Sequence, residues 1–237
     1  MKALMDLHVH TISSGHAFST LKENIEEAKL KGLKVLGISD HARAMEGTAH
    51  PFYFGNLSII NEKIMGIRIL KGIEANIINF QGNIDVNQEL ASKLDYVIAS
   101  LHPPCIKAGT VEENTKSIIR AMDNPYVKII GHPDDNRFLL DYEKVVLAAK
   151  EKNILLEMNN SSLSSRSQRE NSVENQKKYL NLCKKYEAKI ILGSDAHIYY
   201  DVGEFTNCFN LLKNVEFPEE LIFNSNTDSL KWLLEKK

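Results

Sequence analysis

The stretch Asp6–Thr11, "DLHVHT", places an acid and two histidines on alternate positions close to the start of the chain. Read as a strand, it puts Asp6, His8 and His10 on one face and Leu7 and Val9 on the other, because successive strand side chains point to opposite sides. Such a face can hold a metal ion, or it can be two histidines on an exposed edge. The rest of the chain has to choose.

Working outward, six further short segments rich in aliphatic and β-branched residues end in the same polar way. "VLGISD" (35–40) runs into Asp40 and His41, and "RILKGIEAN" (68–76) carries Glu74. "YVIAS" (96–100) leads to His102, and "VKIIGH" (127–132) reaches His132. "ILLEMNN" (154–160) ends in Asn159 and Asn160, and "KIILGSD" (189–195) ends in Asp195, followed by His197. Helical patterns separate most of them. Thr20 with Glu23 and Thr110 with Glu113 spell capping boxes, and Asp141 can cap "YEKVVLAAKEK". Gly66 reads as the close of a helix over "LSIINEKI" (57–64), a long helix follows Asn171, and "GEFTNCFNLLKNV" and "DSLKWLLEKK" finish the chain.

Strand and helix alternating at this spacing imply crossover connections and a largely parallel sheet, closed as a barrel or open with helices on both faces. No linker or low-complexity tract divides the 237 residues, so one domain over 1–237 is expected. In parallel α/β folds the C-terminal ends of all strands share one rim. The polar residues at these strand ends should therefore meet in space.

Composition removes several function classes. Lys and Arg number 29 against 31 Asp and Glu, for a formal charge of −2, and no basic cluster points to nucleic acid. Cys105, Cys183 and Cys208 lie far apart without a metal or disulfide spacing, which fits a reducing compartment. No signal peptide or membrane-length apolar run is evident, so a cytoplasmic protein with no membrane partner is expected; a homo-oligomer is compatible with this composition.

Two chemistries could use the rim. A nucleophile relay needs a serine or cysteine on a sharp turn beside a histidine, and no G-x-S-x-G is present. A metal cluster needs imidazoles and carboxylates from several strands, including an acid able to bridge. His8, His10, His16, His41, His102, His132 and His197 with Glu74 and Asp195 exceed the roughly three protein ligands of one catalytic zinc, so two or three ions are expected.

These residues resemble the PHP family, named for polymerase and histidinol phosphatase. The resemblance is carried in order along the chain by "DLHVHT", "SDH" at Asp40 and His41, "KGIEAN" around Glu74, "SLHPP" at His102, "GHPD" at His132 and "GSDAH" at Asp195 and His197. "HTISSGHAFSTL", "LEMNNSS" and "LGSDAH" are similar to the single-domain YcdX-type bacterial phosphatases. The resemblance implies a distorted (β/α)7 barrel, TIM-like, with a trinuclear centre of zinc, or of manganese or iron. It assigns His8, His10, Glu74 and Asp195 to a first ion, Glu74 with His102 and His132 to a second, and His16, His41 and His197 to a third. "AMEGTAHPFYF" (44–54) departs from the family by leaving His50 as a lone histidine in that loop.

The activity implied is hydrolysis of phosphate monoesters of small molecules: a water acidified by the ions attacks phosphorus in line while the cluster neutralises the phosphoryl oxygens and the leaving alkoxide. Glu74 would bridge, and Asp195 would orient the water as well as ligate. Arg166, in the loop after the sixth segment, has a planar fork matched to phosphate, with Arg43 and Arg137 in other rim loops. Asp6 and Asp40 could orient ligand imidazoles or bind backbone amides. Other readings are a phosphodiesterase or nuclease acting on nucleic-acid ends, which would want a basic aromatic groove, and a non-catalytic metal-stabilised scaffold. The intact ligand set argues against the scaffold.

Overall fold

The computed structural model describes residues 1–235; Lys236 and Lys237, which end the last helical pattern, lie outside the described residues. Eight strands are formed: β1 Met5–Asp6, β2 Val35–Ile38, β3 Lys63–Ile64, β4 Ile67–Asn76, β5 Tyr96–Ser100, β6 Val127–Ile130, β7 Leu155–Asn159 and β8 Ile190–Gly193. Seven of them pair in parallel in the order β1-β2-β4-β5-β6-β7-β8, and the two-residue β3 pairs antiparallel with β4. The helices are α1 Leu21–Leu30, α2 Pro51–Asn56, α3 Gln88–Ala91, α4 Val111–Ala121, α5 Tyr142–Lys152, α6 Ser172–Tyr186, α7 Thr206–Asn214 and α8 Leu230–Leu234.

This is a nearly closed parallel barrel inside a layer of helices. Between β1 and β8 the ladder reduces to one parallel bridge, Val9 with Ala196. At the opposite end of that seam a side chain replaces the missing ladder. The buried Asn224 amide accepts from Leu192 N (2.6 Å) and donates to the carbonyls of Met5 and Leu192 (2.9 Å each). An asparagine side chain carries the same donor and acceptor as a peptide group, so it can pair two strand edges that do not reach each other.

Alternation along the strands sorts the aliphatic residues into two cores. Met5, Leu7, Val35, Leu70, Tyr96, Ile98, Ile129, Leu155 and Ile191 fill the barrel, and Phe223, Leu230 and Leu233 from the C-terminal segment close its floor. Leu36, Ile38, Ile69, Ile73, Val97, Ile130, Leu156 and Leu192 face the helices. Both capping boxes form, Thr20 with Glu23 and Thr110 with Glu113, and Asp141 caps α5 through Lys144 N.

Two expectations are corrected. "LSIINEKI" is a 3-10 turn at Leu57–Ile59 followed by β3, and Gly66 sits in the β3–β4 hairpin beside Met65, both with positive φ (89° and 51°). A two-residue hairpin turn of this kind needs left-handed backbone, so the glycine marks a hairpin and not a helix end. Nor does strict alternation run through "DLHVHT": β1 stops at Asp6, Leu7 joins the barrel interior, and Val9 joins the outer core. Asp6 then turns away from the rim and accepts the amides of His8, Ser194 and Gly203.

Candidate metal centre

Glu74 stands in the long strand β4 with no exposed surface, and five imidazoles surround its carboxylate. Its Oε2 faces His41 Nδ1 at 2.8 Å, His8 Nε2 at 3.4 Å and His10 Nε2 at 3.5 Å. Its Oε1 faces His132 Nε2 at 2.9 Å and His102 Nε2 at 3.3 Å. Each oxygen thus serves its own set of nitrogens. Asp195, from the end of β8, adds Oδ1 at 3.2 Å from His10 Nε2 and 3.5 Å from His8 Nε2. His197 brings Nε2 to 3.0 Å from His16 Nε2 at the open edge of the cluster.

What these groups can bind follows from their outer hydrogen bonds. His8 Nδ1 donates to Glu157 Oε1 (2.6 Å), His102 Nδ1 to Asn76 Oδ1 (2.7 Å) and His197 Nδ1 to the Asp195 carbonyl (3.0 Å). Ser14 Oγ donates to Asp40, so it must accept from His10 Nδ1 at 2.9 Å. In these four rings the outer nitrogen holds the proton and the inner Nε2 presents a lone pair. Lone pairs aimed at one another and at carboxylates repel unless cations lie between them. Consistently, His8 Nε2, His10 Nε2, His41 Nδ1, His102 Nε2 and Glu74 Oε2 are buried without a hydrogen bond of their own.

The spacing agrees with the chemistry. Donors about 2.1 Å from a central ion in a tetrahedron lie about 3.4 Å apart, and the His8, His10, Glu74 and Asp195 separations are 3.4, 3.5, 3.5 and 3.2 Å. Four overlapping trios have donor atoms within 4.8 Å of one another: His10–His41–His197, His8–His132–Asp195, His8–His10–Glu74 and His41–Glu74–His102. The residues present fit metal binding.

Electrostatics point the same way. Burial opposes ionisation of Glu74, yet His8, His41 and His102 outweigh it and hold the carboxyl well below its usual range. For Asp195 burial is likewise outweighed, here by His8, Arg169 and His10. Burial works against a charged His8, but Glu157, Glu74 and Asp195 draw its pKa well above that of free imidazole, the mark of a pocket that attracts positive charge. Burial, with His197 and His41 nearby, lowers His10 well below the ordinary value and His16 to about 4, which keeps both neutral as ligation requires.

The surrounding residues divide the remaining work. Asp40 accepts from Thr11 N, Thr11 Oγ1, Ser14 Oγ and Tyr53 OH, so it steers His10 through Ser14, while Asp6 binds backbone amides and the Ser194 side chain. Asn159 Nδ2 reaches Glu157 and Asp195, whereas Asn160 accepts the Cys208 amide. His50 caps α2 through Phe52 N and stays outside the cluster. Arg166 is exposed on the rim and paired with Asp201. His132 (φ 25°) and Asp195 (φ 54°) hold left-handed backbone that costs a non-glycine residue energy, strain of the kind that collects at functional sites.

Two residues of the site escaped the sequence reading. Glu157, 1% exposed, anchors His8 with one oxygen and accepts the His132 amide with the other (2.7 Å). Gly193 makes room for it: a Cβ there would lie 1.8 Å from Glu157 Oε1. Its signal was an acid in a strand's apolar run, two residues before Asn159 and on the same face. Arg169 is the arginine that reaches the cluster, with NH2 2.9 Å from Asp195 Oδ2 and NH1 on Ser162 Oγ (3.0 Å) and Asn159 Oδ1 (3.3 Å). The loop it occupies is irregular, and no period distinguishes it from Arg166.

Comparison with known proteins adds an independent line. The model of the PHP domain family matches residues 6–169. A Clostridium botulinum (strain Hall) protein named "Probable phosphatase" is 47% identical over 237 residues, covering 100% of this chain and 96% of its own. A protein of the same name from Clostridium acetobutylicum is 46% identical with the same coverage, 100% and 96%. Among solved structures, the histidinol phosphate phosphatase of Lactococcus lactis, complexed with zinc, L-histidinol and phosphate, superposes with a TM-score of 0.62 at 16% identity, over 92% of this chain and 95% of that one. A Listeria monocytogenes protein provisionally assigned as a histidinol phosphatase gives 0.66 at 17% identity, over 86% and 99%. At these identities the structural likeness is one of fold.

Proposed function

Because the chain belongs to the PHP domain family, we propose that it is a metal-dependent phosphatase hydrolysing phosphate monoesters of small molecules. The observation that carries this reading is the inward set of imidazole nitrogens around Glu74, with the His8, His10 and His102 rings each locked by an outer acceptor. His8, His10, Glu74 and Asp195 would hold one ion, Glu74 with His102 and His132 a second, and His16, His41 and His197 a third, with zinc first in order and manganese or iron compatible with the same N/O donors. Bound ions would supply an acidified water as nucleophile and positive charge for the phosphoryl oxygens and the leaving alkoxide.

The protein's own groups prepare that chemistry. The two Glu74 oxygens face different imidazoles, which suits a bridge that fixes the separation of two ions. Arg169 binds Asp195 through Oδ2 and leaves Oδ1 for the cluster, and a planar guanidinium held beside that cluster would add positive charge for a phosphoryl oxygen. Arg166 stands farther out, beside the cleft that opens on Asp195 and His197, where it would meet substrate beyond the phosphate.

The test is a comparison of phosphate release from simple monoesters with cleavage of bis(p-nitrophenyl) phosphate and a short single-stranded DNA. Metal-dependent turnover of monoesters, with diesters at least ten-fold slower in kcat/KM, is expected. Faster cleavage of the diesters would replace this reading with a phosphodiesterase, and no turnover of any substrate by metal-loaded protein would remove it.

A further inference from the structure

Next to the cluster lies an open cleft of ≈ 350 Å³ whose inner end is Asp195 and His197 and whose walls carry Phe18, Ile198, Tyr200, Arg166 and Asp201. Resting on the phosphatase reading above, we propose that this cleft is the leaving-group subsite and selects monophosphates whose alcohol carries a flat, uncharged ring.

Position comes first. The cleft shares Asp195 and His197 with the cluster, so a phosphoryl group held there directs its ester oxygen and leaving group along the cleft walls. Its volume is at the lower end of small-molecule sites, room for one ring on a short chain.

Chemistry comes second. Phe18 is 76% exposed and Tyr200 49%, two large aromatic faces left to solvent on the walls of one recess. A single exposed aromatic is ordinary, but two that frame a cleft running into a reactive cluster offer stacking surface for a planar group. Neither sits on a loose loop. Phe18 N donates to the His197 carbonyl and Tyr199 N to the buried Ser19 Oγ, both at 2.7 Å, and the Tyr199 ring meets Tyr200 edge-on at 5.4 Å. The backbone that carries both rings is therefore fixed, which lowers the ordering cost of binding.

Charge comes third. The Arg166 guanidinium, the one Arg or Lys cation on these walls among the described residues, contacts both Asp201 oxygens at 2.8 Å. The pair cancels formally, so the walls offer no net charge to attract a second phosphate or a carboxylate. They retain hydrogen-bonding edges from Ser161, Ser164 and the Arg166–Asp201 pair for the substituents of a ring.

The probe is a matched pair, 2-phenylethyl phosphate and ethyl phosphate, whose leaving alkoxides are alike in reactivity and differ in the ring. For the metal-loaded protein the kcat/KM ratio of the two should be at least ten in favour of the ring. In F18A/Y200A it should fall to within about two-fold of unity at unchanged metal content, and F18W should retain it. A ratio near one in the parent protein, or an unchanged ratio in the double variant, overturns the subsite while metal-dependent hydrolysis of ethyl phosphate leaves the phosphatase reading standing. Hydrolysis of neither ester overturns both.

Discussion

Glu157 shows how much a single buried acid can set. Its charge assists the His8 proton outward and turns the His8 lone pair inward, and its second oxygen receives the His132 amide. Glu157→Gln keeps the volume, removes the charge and sets an NH2 group against donors that the carboxylate accepts, either His8 Nδ1 or the His132 amide and Asn159 Nδ2. Partners of this kind change metal affinity by about 10–100-fold, and competition with a chromophoric chelator should show a loss in that range with the fold intact by circular dichroism. Arg169 makes a different prediction, because three partners fix a planar fork that an ammonium cannot reproduce. Arg169→Lys should lower kcat/KM by about ten-fold or more, on the order of 1.4 kcal/mol of transition-state stabilisation, while elemental analysis finds metal content unchanged. Loss of metal in Arg169→Lys would instead make Arg169 a support of the ligand shell. At this scale eight of the nine candidate ligands were legible as polar residues at the C-terminal end of an apolar run, whereas His16 lies in a loop and was supported by the family resemblance. Glu157 was hidden by its apolar neighbours, and Arg169 by a loop whose conformation has no sequence period.

Among elements, the strands of the parallel sheet were legible because buried strands are written as unbroken aliphatic runs. "YVIAS" is β5 to the residue. Helix starts were equally plain where a side chain must satisfy free amides, as at Thr20, Thr110 and Asp141. The failures lay where one residue type serves two geometries: Gly66 suits a helix end and a hairpin, and only pairing of β3 with β4 decides. The seam between β1 and β8 was invisible for a related reason, since nothing near Asn224 in sequence announces that its side chain will stand in for a strand. Asn224→Ala leaves the buried Leu192 amide and two carbonyls unpaired. It should destabilise the protein by roughly 3 kcal/mol at about 1–3 kcal/mol for a buried donor left unmade, read as a lower urea midpoint. Because the seam lies across the barrel from the rim, kcat/KM of the folded fraction should stay within two-fold of the parent.

For the whole molecule, the fold places polar strand ends on one rim while aliphatic residues fill the barrel and its floor. Among the described residues no helix is long and apolar enough to cross a membrane, and Cys105, Cys183 and Cys208 are all free thiols. What the sequence could not carry is the sharing of oxygens: which imidazoles face Oε1 of Glu74 and which face Oε2 depends on the barrel's curvature and not on any local pattern. That division is the basis for expecting more than one ion. A requirement for several cations at this rim in monoester hydrolysis can be measured by stripping the protein with a chelator and titrating zinc, manganese or ferrous ion back while following bound metal by elemental analysis and phosphate release together. Activity should vanish on stripping and return only as metal content approaches two to three ions per chain, and Glu74→Gln should bind fewer ions and regain almost no activity. Full turnover by the stripped protein, or an unchanged metal content in Glu74→Gln, would contradict this reading.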